Sequence, residues 1–411
     1  MTPAFVVVMV TSSYPRFAGD SVGTFMEPIA RGIAARGHEV HVVAPWHPQV
    51  QRPSIERGIR FHFYRYAPVA ALNVFGYASA MRADVSLRTA AYLATPFALT
   101  AGWWTARQVA RRYRADIMHG HWVIPGGVTA AAAAPALPLV ISLHGSDIYV
   151  AERLAPARAA ARAAFRRAGV VTACSDDLAS RAVRLGADPE RTTVVPYGVD
   201  PVRFGPDAAS RQALRGQLGL ADTDLLVAAA GRLVSKKGFE YLIDALALAP
   251  SITLALAGDG TLRESLRQRA VAGGVASRVR LLGNQAQDEV ARLFAAADIV
   301  AAPSIRDDSG NVDGLPNVVM EALASGTPLV TTTAGGIGAV VEDGLTALVV
   351  PERDVPALGA ALVRLGEDRR LRETVGQAAR AMVETRFGWE RTAEQFELAY
   401  RHALAFASMG R

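Results

Sequence analysis

The segment LLVAAAGRLVSKKGFEYL, residues 225–242, contains a strand, a turn and the start of a helix in one run. Small and apolar residues predict a buried parallel strand, which ends at Gly231 and is followed by a helical pattern. Lys236 and Lys237 are the only lysines among the chain's 44 basic residues. A strand that turns at a glycine into a helix is the unit of an open parallel sheet, and the cations in the turn indicate an anionic ligand.

The same alternation of strands and helices extends over both halves of the chain. The first half offers the strand candidates FVVVMV, EVHVVAP, GIRFHFY, ADIMHGH, PLVISLHG, GVVTACS and TTVVPYG; the second offers DLLVAAAG, SITLALAGDG, RVRLLGN, ADIVAAPS, TPLVTTT and TALVVP. A turn-rich segment at 196–210 separates them. We therefore predict an α/β fold of two doubly wound, Rossmann-like domains, 1–203 and 204–387, facing an interdomain cleft, with a C-terminal helix at 388–411 packing back on the first domain.

Composition and charge narrow the function classes. The chain has 411 residues and a net charge of +6, and the excess of arginine lies within the first 200 residues. These arginines are dispersed and follow no zinc-finger or helix-turn-helix pattern, which argues against nucleic acid and favours an anionic membrane surface or a phosphorylated acceptor. A single cysteine, Cys174, suits a reducing compartment, and the uncharged N-terminal apolar run predicts a first strand. We expect a cytoplasmic protein.

The segment 89–114 has two interpretations. Its first part lacks charge, but its threonines, proline and glycine argue against a membrane span. Its second part, GWWTARQVARRYR, places Trp103 and Trp104 beside four arginines. The segment is either an amphipathic helix on the sheet with extended arginine side chains, or a helix that also contacts an anionic membrane surface.

The turn after residues 225–230 contains the groups that bind phosphate. Gly231 allows a sharp turn, Arg232 offers a two-pronged guanidinium, and Lys237 adds a point charge at the start of the next helix. This set suits a diphosphate, although a solvated turn would have similar residues. We interpret the neighbouring Lys236 as a bystander that points elsewhere.

A second segment, DGLPNVVMEALASGTPLVTTTAGG, combines two acids with a helix start. Asp313 lies in the loop and Glu321 lies about one turn inside a helix that begins near Asn317. Carboxylates accept hydrogen bonds from vicinal hydroxyls, so a sugar or ribose would suit them. The alternative is one capping acid and one surface acid.

Together these motifs resemble family-4 retaining glycosyltransferases with the GT-B fold. The motifs GRLVSKKG, LALAGDGTL, VRLLGN, LFAAADIVAAPS and DGLPNVVMEALASGTPLV stand in the order and spacing of that family's second domain. YPRFAGDSVGTF, RGHEVHVVAP, HGHWVIPGG, ISLHGSDI and VPYGVDPVRF agree with its first domain. The resemblance covers nearly the whole chain.

The resemblance implies a retaining enzyme that needs no metal or other cofactor. It would move a hexosyl unit from a UDP- or GDP-sugar to a hydroxyl of a sugar or lipid-linked acceptor, in polysaccharide or glycolipid assembly. The implied catalytic residues are Arg232 and Lys237 on the diphosphate, Asp313 on the sugar hydroxyls and His144 near the transferred sugar. The implied donor-binding residues are Gly23, Gly231, Gly314, Leu315, Pro316, Asn317 and, on the ribose, Glu321. Asp147 would face the acceptor.

Three positions depart from the family pattern, and rival classes fit less well. Asp313 replaces the usual glutamate, Ala339 a frequent acid and Tyr197 a usual asparagine, which leaves the donor sugar open.

A metal-dependent glycosyltransferase would need Asp-x-Asp after a strand, whereas Asp222 and Asp224 precede one. A nicotinamide dehydrogenase would need a third glycine after Gly258 and Gly260, at the position where this chain has Arg263. A GT-B-shaped epimerase and a non-catalytic nucleotide-sugar binding protein remain the alternatives.

Overall fold

Parallel strands followed by helices make up both halves of the chain, as the alternating pattern predicts. The computed structural model describes residues 4–20, 22–77, 81–83, 86–87, 89–221 and 223–409. The described chain divides into a first unit, Met1–Pro196 with Trp389–Arg411, and a second unit, Tyr197–Gly388.

The first unit contains a mainly parallel sheet with the spatial order β10-β9-β8-β7-β1-β2-β4-β3. Only β3, within the described residues, pairs antiparallel in this sheet, and β5 and β6 form a separate antiparallel pair. The strands are β1 (Val6–Val10), β2 (Glu39–Pro45), β3 (Ile55–Glu56), β4 (Ile59–Tyr64), β5 (Met81–Ala83), β6 (Ser86–Leu87), β7 (Ile117–His121), β8 (Leu139–Leu143), β9 (Val170–Ala173) and β10 (Thr192–Val194).

The second unit contains a parallel sheet with the order β13-β12-β11-β14-β15-β16. Its central strands are buried on both faces, which explains why they consist of alanine, valine, leucine and isoleucine without alternation, apart from the partly buried Thr253. The strands are β11 (Leu225–Ala230), β12 (Ile252–Ala257), β13 (Val279–Gly283), β14 (Ile299–Ala302), β15 (Leu329–Thr331) and β16 (Leu348–Val349).

Helices connect the strands and cover both sheets. They are α1 (Met26–Ala35), α2 (Thr89–Arg112), α3 (Val128–Ala133), α4 (Ser146–Arg153), α5 (Ala155–Arg167), α6 (Asp176–Arg184), α7 (Ala208–Gln217), α8 (Phe239–Ala245), α9 (Arg263–Ala272), α10 (Gln287–Ala296), α11 (Asn317–Ser325), α12 (Val355–Glu367), α13 (Arg369–Arg386) and α14 (Trp389–Met409). The predicted α/β fold with two Rossmann-like sheets is confirmed.

In each sheet the strand order reverses at the first strand: the next strands in sequence lie on one side of it, and later strands lie on the other side. In the second unit β11 lies between β12 and β14, and in the first unit β1 lies between β2 and β7. At such a reversal the following loops part to opposite faces and leave a crevice at the carboxyl ends of the strands. The loops after β11 and β14, and those after β1 and β7, are therefore where each unit can bind a ligand.

The two units meet in sequence at Pro196, before the boundary at 203 that the turn-rich segment indicates. The residues in between belong to the second unit, and among them Arg203 forms an ion pair with Asp288 of α10, with Arg203 Nε 3.0 Å from Asp288 Oδ1. Phe204, the next residue, packs against Phe294 with ring centroids 6.4 Å apart.

The C-terminal helix α14 completes the core of the first unit. Phe396 and Tyr400 are buried in the same cluster as Val7, Ile33 and Val140, while Leu398 on the same helix is exposed. The helical spacing of its apolar residues thus matches the face that the helix buries.

We expect Phe396→Ala to lower the free energy of unfolding of the first unit by about 3–5 kcal/mol, because it leaves a cavity in a packed core. Leu398→Ala is the matched control and should change it by less than about 0.5 kcal/mol. All five tryptophans lie in the first unit, so tryptophan fluorescence during urea unfolding reports on that unit. Equal effects of the two substitutions would contradict this packing of α14.

Candidate active site

The loop after β11 brings three cations to the carboxyl end of the second sheet. Gly231 turns the chain with a φ of 148°, and the exposed Arg232 follows it. A single 3₁₀ turn, Ser235–Lys237, then precedes α8. Arg232 lies within the electrostatic influence of Asp313, which comes from the loop after β14. Residues that are distant in sequence therefore meet at the reversal point of this sheet.

Asp313 is held by both lysines. Lys236 Nζ lies 3.0 Å from Asp313 Oδ1, and Lys237 Nζ lies 2.6 Å from Oδ2. Lys236 is only 5% exposed, so the expectation that it is a bystander pointing elsewhere is wrong. In the 3₁₀ turn both side chains reach toward the neighbouring loop, and its carboxylate lies between them.

The two ammonium groups determine the charge of Asp313. Burial alone would raise the pKa of this carboxyl, but Lys236 and then Lys237 outweigh burial and hold the pKa well below its usual value. Asp313 is therefore ionised at neutral pH. Its charge cancels one of the two lysine charges, and the group keeps a net positive charge that can attract an anion.

Two glycines allow the loops of this site to approach each other closely. At Gly238, with a φ of 66°, a Cβ atom would lie 2.0 Å from the carbonyl oxygen of Pro303 in the loop after β14. At Gly335, with a φ of 60°, it would lie 2.0 Å from the carbonyl oxygen of Asp313. Since neither approach leaves room for a side chain, the loops after β11, β14 and β15 can pack only with glycine at these positions.

Glu321 lies beside the same group, inside α11. Gln287 Nε2 donates a hydrogen bond of 2.9 Å to Glu321 Oε1. Burial raises the pKa of Glu321, although Gln287 and the charge of Lys237 oppose the rise. A partly buried carboxyl group that already accepts one hydrogen bond from α10 is suited to accept others from hydroxyl groups.

The start of α11 offers backbone donors to the same place. The helix begins at Asn317, and Pro316 at its N-cap has no side-chain acceptor for the first amides. Gly314, Leu315 and Asn317 have N–H groups that can donate hydrogen bonds, whereas Pro316, also among the implied binding residues, has none. Pro316 instead sets the direction in which the helix starts.

In the first unit His144 follows β8 and faces the end of β7. His121 Nδ1 and His144 Nε2 lie 3.1 Å apart, and the two rings are stacked. Burial lowers the pKa of His121 to about 3 and holds that of His144 well below its ordinary value. Both rings are therefore neutral near pH 7. One ring donates an N–H hydrogen bond to the other, and neither carries a charge.

A buried hydrogen-bonded chain lies behind these rings. The His119 ring lies 4.0 Å from that of His121, and its nitrogens contact Tyr400 Oη at 2.8 Å and Ser142 Oγ at 2.7 Å. Sequence reasoning did not assign His121 to the site. The signal was present, because alternate residues of a strand such as His119 and His121 lie on the same face.

Asp147, which the resemblance places on the acceptor side, is buried in the loop of His144. It is 2% exposed and accepts hydrogen bonds from the backbone amides of Val123 at 2.8 Å and Gly145 at 2.9 Å. The amide of His144 donates to it as well, at 3.3 Å. This carboxylate therefore holds the backbone of the His144 loop, and its oxygens are occupied by the protein itself.

Gly23 lies in the loop between β1 and α1, with a φ of 63°. The loop is stabilised by Arg16, whose Nε lies 2.6 Å from Asp20 Oδ2, and the amide of Val22 donates to Asp20 as well. The structure thus places Gly23 at the carboxyl end of β1, the reversal point of the first sheet. It and His144 belong to the first unit, whereas the cationic group belongs to the second.

Of the two aspartates that a metal-dependent glycosyltransferase would use, only Asp224 lies within the described residues. Asp224 accepts a hydrogen bond from the amide of Ala221 in a local turn, and Asp222 lies outside the described residues. In the described part of the chain, no group of three or more His, Cys, Asp or Glu side chains is arranged to hold a metal ion.

Helix α2 packs against the first unit, as the first interpretation of segment 89–114 predicts, and it also has an exposed apolar face. Val109 is buried, and Trp103 Nε1 donates to the carbonyl of Ala132 at 3.2 Å. On the other side Phe97 is 66% exposed and Trp104 is 55% exposed. None of the described helices has the length and hydropathy to cross a bilayer.

Comparison with protein families gives a match in each half of the chain. The family described as Glycosyltransferase Family 4 matches residues 22–203. The family described as Glycosyl transferases group 1 matches residues 210–382.

Three curated relatives match over most of their length. A D-inositol 3-phosphate glycosyltransferase of Jonesia denitrificans is 30% identical over 419 residues, which cover 95% of this chain and 93% of the relative. One of Salinispora arenicola is 32% identical over 335 residues, or 75% and 73% of the two chains. A GDP-mannose-dependent alpha-(1-6)-phosphatidylinositol monomannoside mannosyltransferase of Mycobacterium tuberculosis is 29% identical over 399 residues, or 93% and 95%.

Solved structures share the fold. A sucrose-phosphate synthase from Thermosynechococcus elongatus matches with a TM-score of 0.78 and 21% identity, over 97% of this chain and 99% of the other. The Anabaena protein HepE, solved with UDP, matches with a TM-score of 0.76 and 22% identity, over 96% and 98%.

The buried histidines predict that the first unit loses stability in mild acid. Below their ordinary pKa of 6.5 these histidines take up protons in the unfolded chain but stay neutral in the folded one. From about pH 7 to about pH 5.5 the urea midpoint of tryptophan fluorescence should fall, each buried histidine contributing up to about 1.4 kcal/mol per pH unit.

His121→Asn should reduce this pH dependence, whereas His402→Gln, at an exposed histidine of α14, should leave it unchanged. A midpoint that does not vary with pH, or a slope that His121→Asn leaves intact, would contradict the buried neutral state.

Proposed function

This chain belongs to glycosyltransferase family 4 and has the GT-B fold, and from that premise we propose that it is a retaining, metal-independent hexosyltransferase. It moves a sugar from a nucleoside diphosphate to an acceptor hydroxyl. The observation that carries the proposal is the convergence of Arg232, Lys237 and the start of α11 at the reversal point of the second sheet.

This arrangement suits the charge that develops during transfer. Breaking the bond between the sugar and the diphosphate leaves negative charge on the departing nucleotide. Lys237 and Arg232 would stabilise that charge as it forms, with the amides at the start of α11 adding neutral donors. Because these groups are fixed cations and dipoles, they can take the role that a metal ion has in other glycosyltransferases.

The remaining residues have binding and positioning roles in this proposal. Asp313 accepts hydrogen bonds from hydroxyls of the donor sugar, and Glu321 accepts them from the ribose. His144, which is neutral, positions the transferred sugar through hydrogen bonds, and Asp147 fixes the loop on which His144 stands. We assign no catalytic base.

The choice of donor and acceptor follows the relatives and the charge distribution. The names of two relatives specify an inositol phosphate and a phosphatidylinositol mannoside, and one specifies GDP-mannose. The basic excess of the first 200 residues suits an acceptor of this anionic kind. We propose a phosphorylated or lipid-linked acceptor, in glycolipid or polysaccharide assembly.

A thermal-shift panel identifies the donor, because a ligand that binds only the folded state raises the melting temperature. The panel compares UDP, GDP, ADP and their sugars in the presence of EDTA. We expect one base to give the largest shift without a divalent metal.

Lys237→Ala should lower the rate of transfer from that donor by about 10²-fold or more, since it removes a cation that stabilises the leaving group. Arg267→Ala, at an exposed arginine of α9 in the same unit, is the control and should retain the rate. The measurement is transfer, or slow donor hydrolysis, with a labelled donor. Similar rates for both variants would contradict the role of Lys237.

The product decides between the proposal and its alternatives. Proton NMR of the first product formed should show the anomeric configuration of the donor, as retention requires. Binding without turnover would favour a non-catalytic nucleotide-sugar binding protein. Release of an epimerised sugar nucleotide, without any acceptor, would favour an epimerase.

The exposed face of α2 is proposed to contact an anionic membrane surface that presents the acceptor. Phe97 and Trp104, together with Tyr66 and Pro68, line an open groove, and Arg65 lines it as well. Residues 89–115 include no acidic residue, and exposed arginines follow the apolar part of the helix. Apolar side chains beside a basic rim suit a bilayer with anionic headgroups.

Phe97→Asp should lower the partition coefficient onto phosphatidylglycerol-containing liposomes by about tenfold or more, because burial of that side chain is worth about 1.5–3 kcal/mol. Val271→Asp, at a residue of α9 that is 59% exposed, is the matched control. Co-sedimentation at low and high salt measures both variants. Equal loss in the two variants, or no binding by the unaltered protein, would contradict the membrane contact.

A further inference from the structure

Lys236 and Lys237 divide the carboxylate of Asp313 between them, one oxygen each. Lys236 Nζ contacts Oδ1 at 3.0 Å and Lys237 Nζ contacts Oδ2 at 2.6 Å. Two cations on one acid exceed what the acid needs, because a single ammonium already neutralises it. The excess indicates that one of the two lysines is held ready for another anion.

The two lysines differ in how firmly the protein holds them. Lys236 is 5% exposed, and its carbonyl accepts a hydrogen bond of 2.8 Å from the amide of Ile305, in the loop after β14. Its backbone and its side chain are therefore both bound to the loop region that leads to Asp313. Counting side-chain atoms alone, Lys237 is 13% exposed and Lys236 is 6% exposed. The side chain of Lys237 runs along Gly231 at the open end of the sheet.

We propose that Lys236 is a positioning residue: it is the permanent counter-ion of Asp313 and so releases Lys237 to bind the donor diphosphate. This inference rests on the proposed function. When the diphosphate arrives, Lys237 exchanges Asp313 for a phosphate oxygen. Without Lys236 that exchange would leave a buried carboxylate unpaired, so Asp313 would retain Lys237 and compete with the nucleotide.

Lysine suits both positions, because an ammonium group is a compact point charge that occupies one oxygen of Asp313 and leaves the second for its neighbour.

The test is a double-mutant cycle on binding of a nucleoside diphosphate, UDP or GDP, whichever binds the unaltered protein. The absence of a sugar removes the direct role of Asp313 in sugar binding. Lys236→Met should weaken binding by about tenfold or more, whereas Asp313→Asn alone should tighten it by less than about threefold, since Lys236 already leaves Lys237 available to the phosphate. The double variant should return to within about threefold of the unaltered protein, because it removes a neutral pair.

Binding by the double variant that stays as weak as that of Lys236→Met would overturn the inference, since Lys236 would then act on the phosphate or on the fold alone. So would a Lys236→Met variant that binds normally. If that variant does not fold, the double variant still decides: affinity equal to that of the unaltered protein supports the inference, and a tenfold loss refutes it.

The same titration separates this inference from the proposed function. An unaltered protein that binds no nucleoside diphosphate refutes the proposed function and the inference with it. If the unaltered protein binds and the effects of the two substitutions simply add, only the role of Lys236 is refuted.

Discussion

The shared carboxylate of Asp313 is the contact that joins the loops after β11 and β14 in the second unit. It lies in the loop after β14, and its ammonium partners lie in the turn after β11, two neighbouring strands at the reversal point of the sheet. The close approaches at Gly238 and Gly335 keep these loops together. A buried carboxylate with two cations is stable only while the loops stay in contact, so the geometry of the site and the packing of the sheet depend on each other.

In the first unit a buried acid likewise holds a loop in place. Asp147 accepts hydrogen bonds from backbone amides, which fix the loop of His144. His144 is oriented by His121 at the end of the neighbouring strand, and a core that includes Tyr400 of α14 supports both. Each unit thus places polar groups after its central strands and secures them from behind with buried hydrogen bonds.

Sequence reasoning could predict the strands and the family, because buried parallel strands are continuous apolar runs and the ligand-binding residues follow them. It could also predict that Asp313 and Lys237 lie at one edge of a sheet. It could not predict that Lys236 is buried, since the direction of a side chain in a short turn depends on Asp313 in a distant loop. Nor could it predict that Asp147 turns inward, because the backbone donors around Gly145 exist only once the loop has folded.

The proposed division of roles, in which Lys237 binds the donor diphosphate and Lys236 stays with Asp313, can be seen in a crystal structure of the protein with its nucleoside diphosphate. We expect a phosphate oxygen about 2.7–3.2 Å from Lys237 Nζ, with Lys236 still paired to Asp313. A diphosphate bound away from the start of α11, or one contacted by Lys236 while Lys237 remains on Asp313, would contradict it.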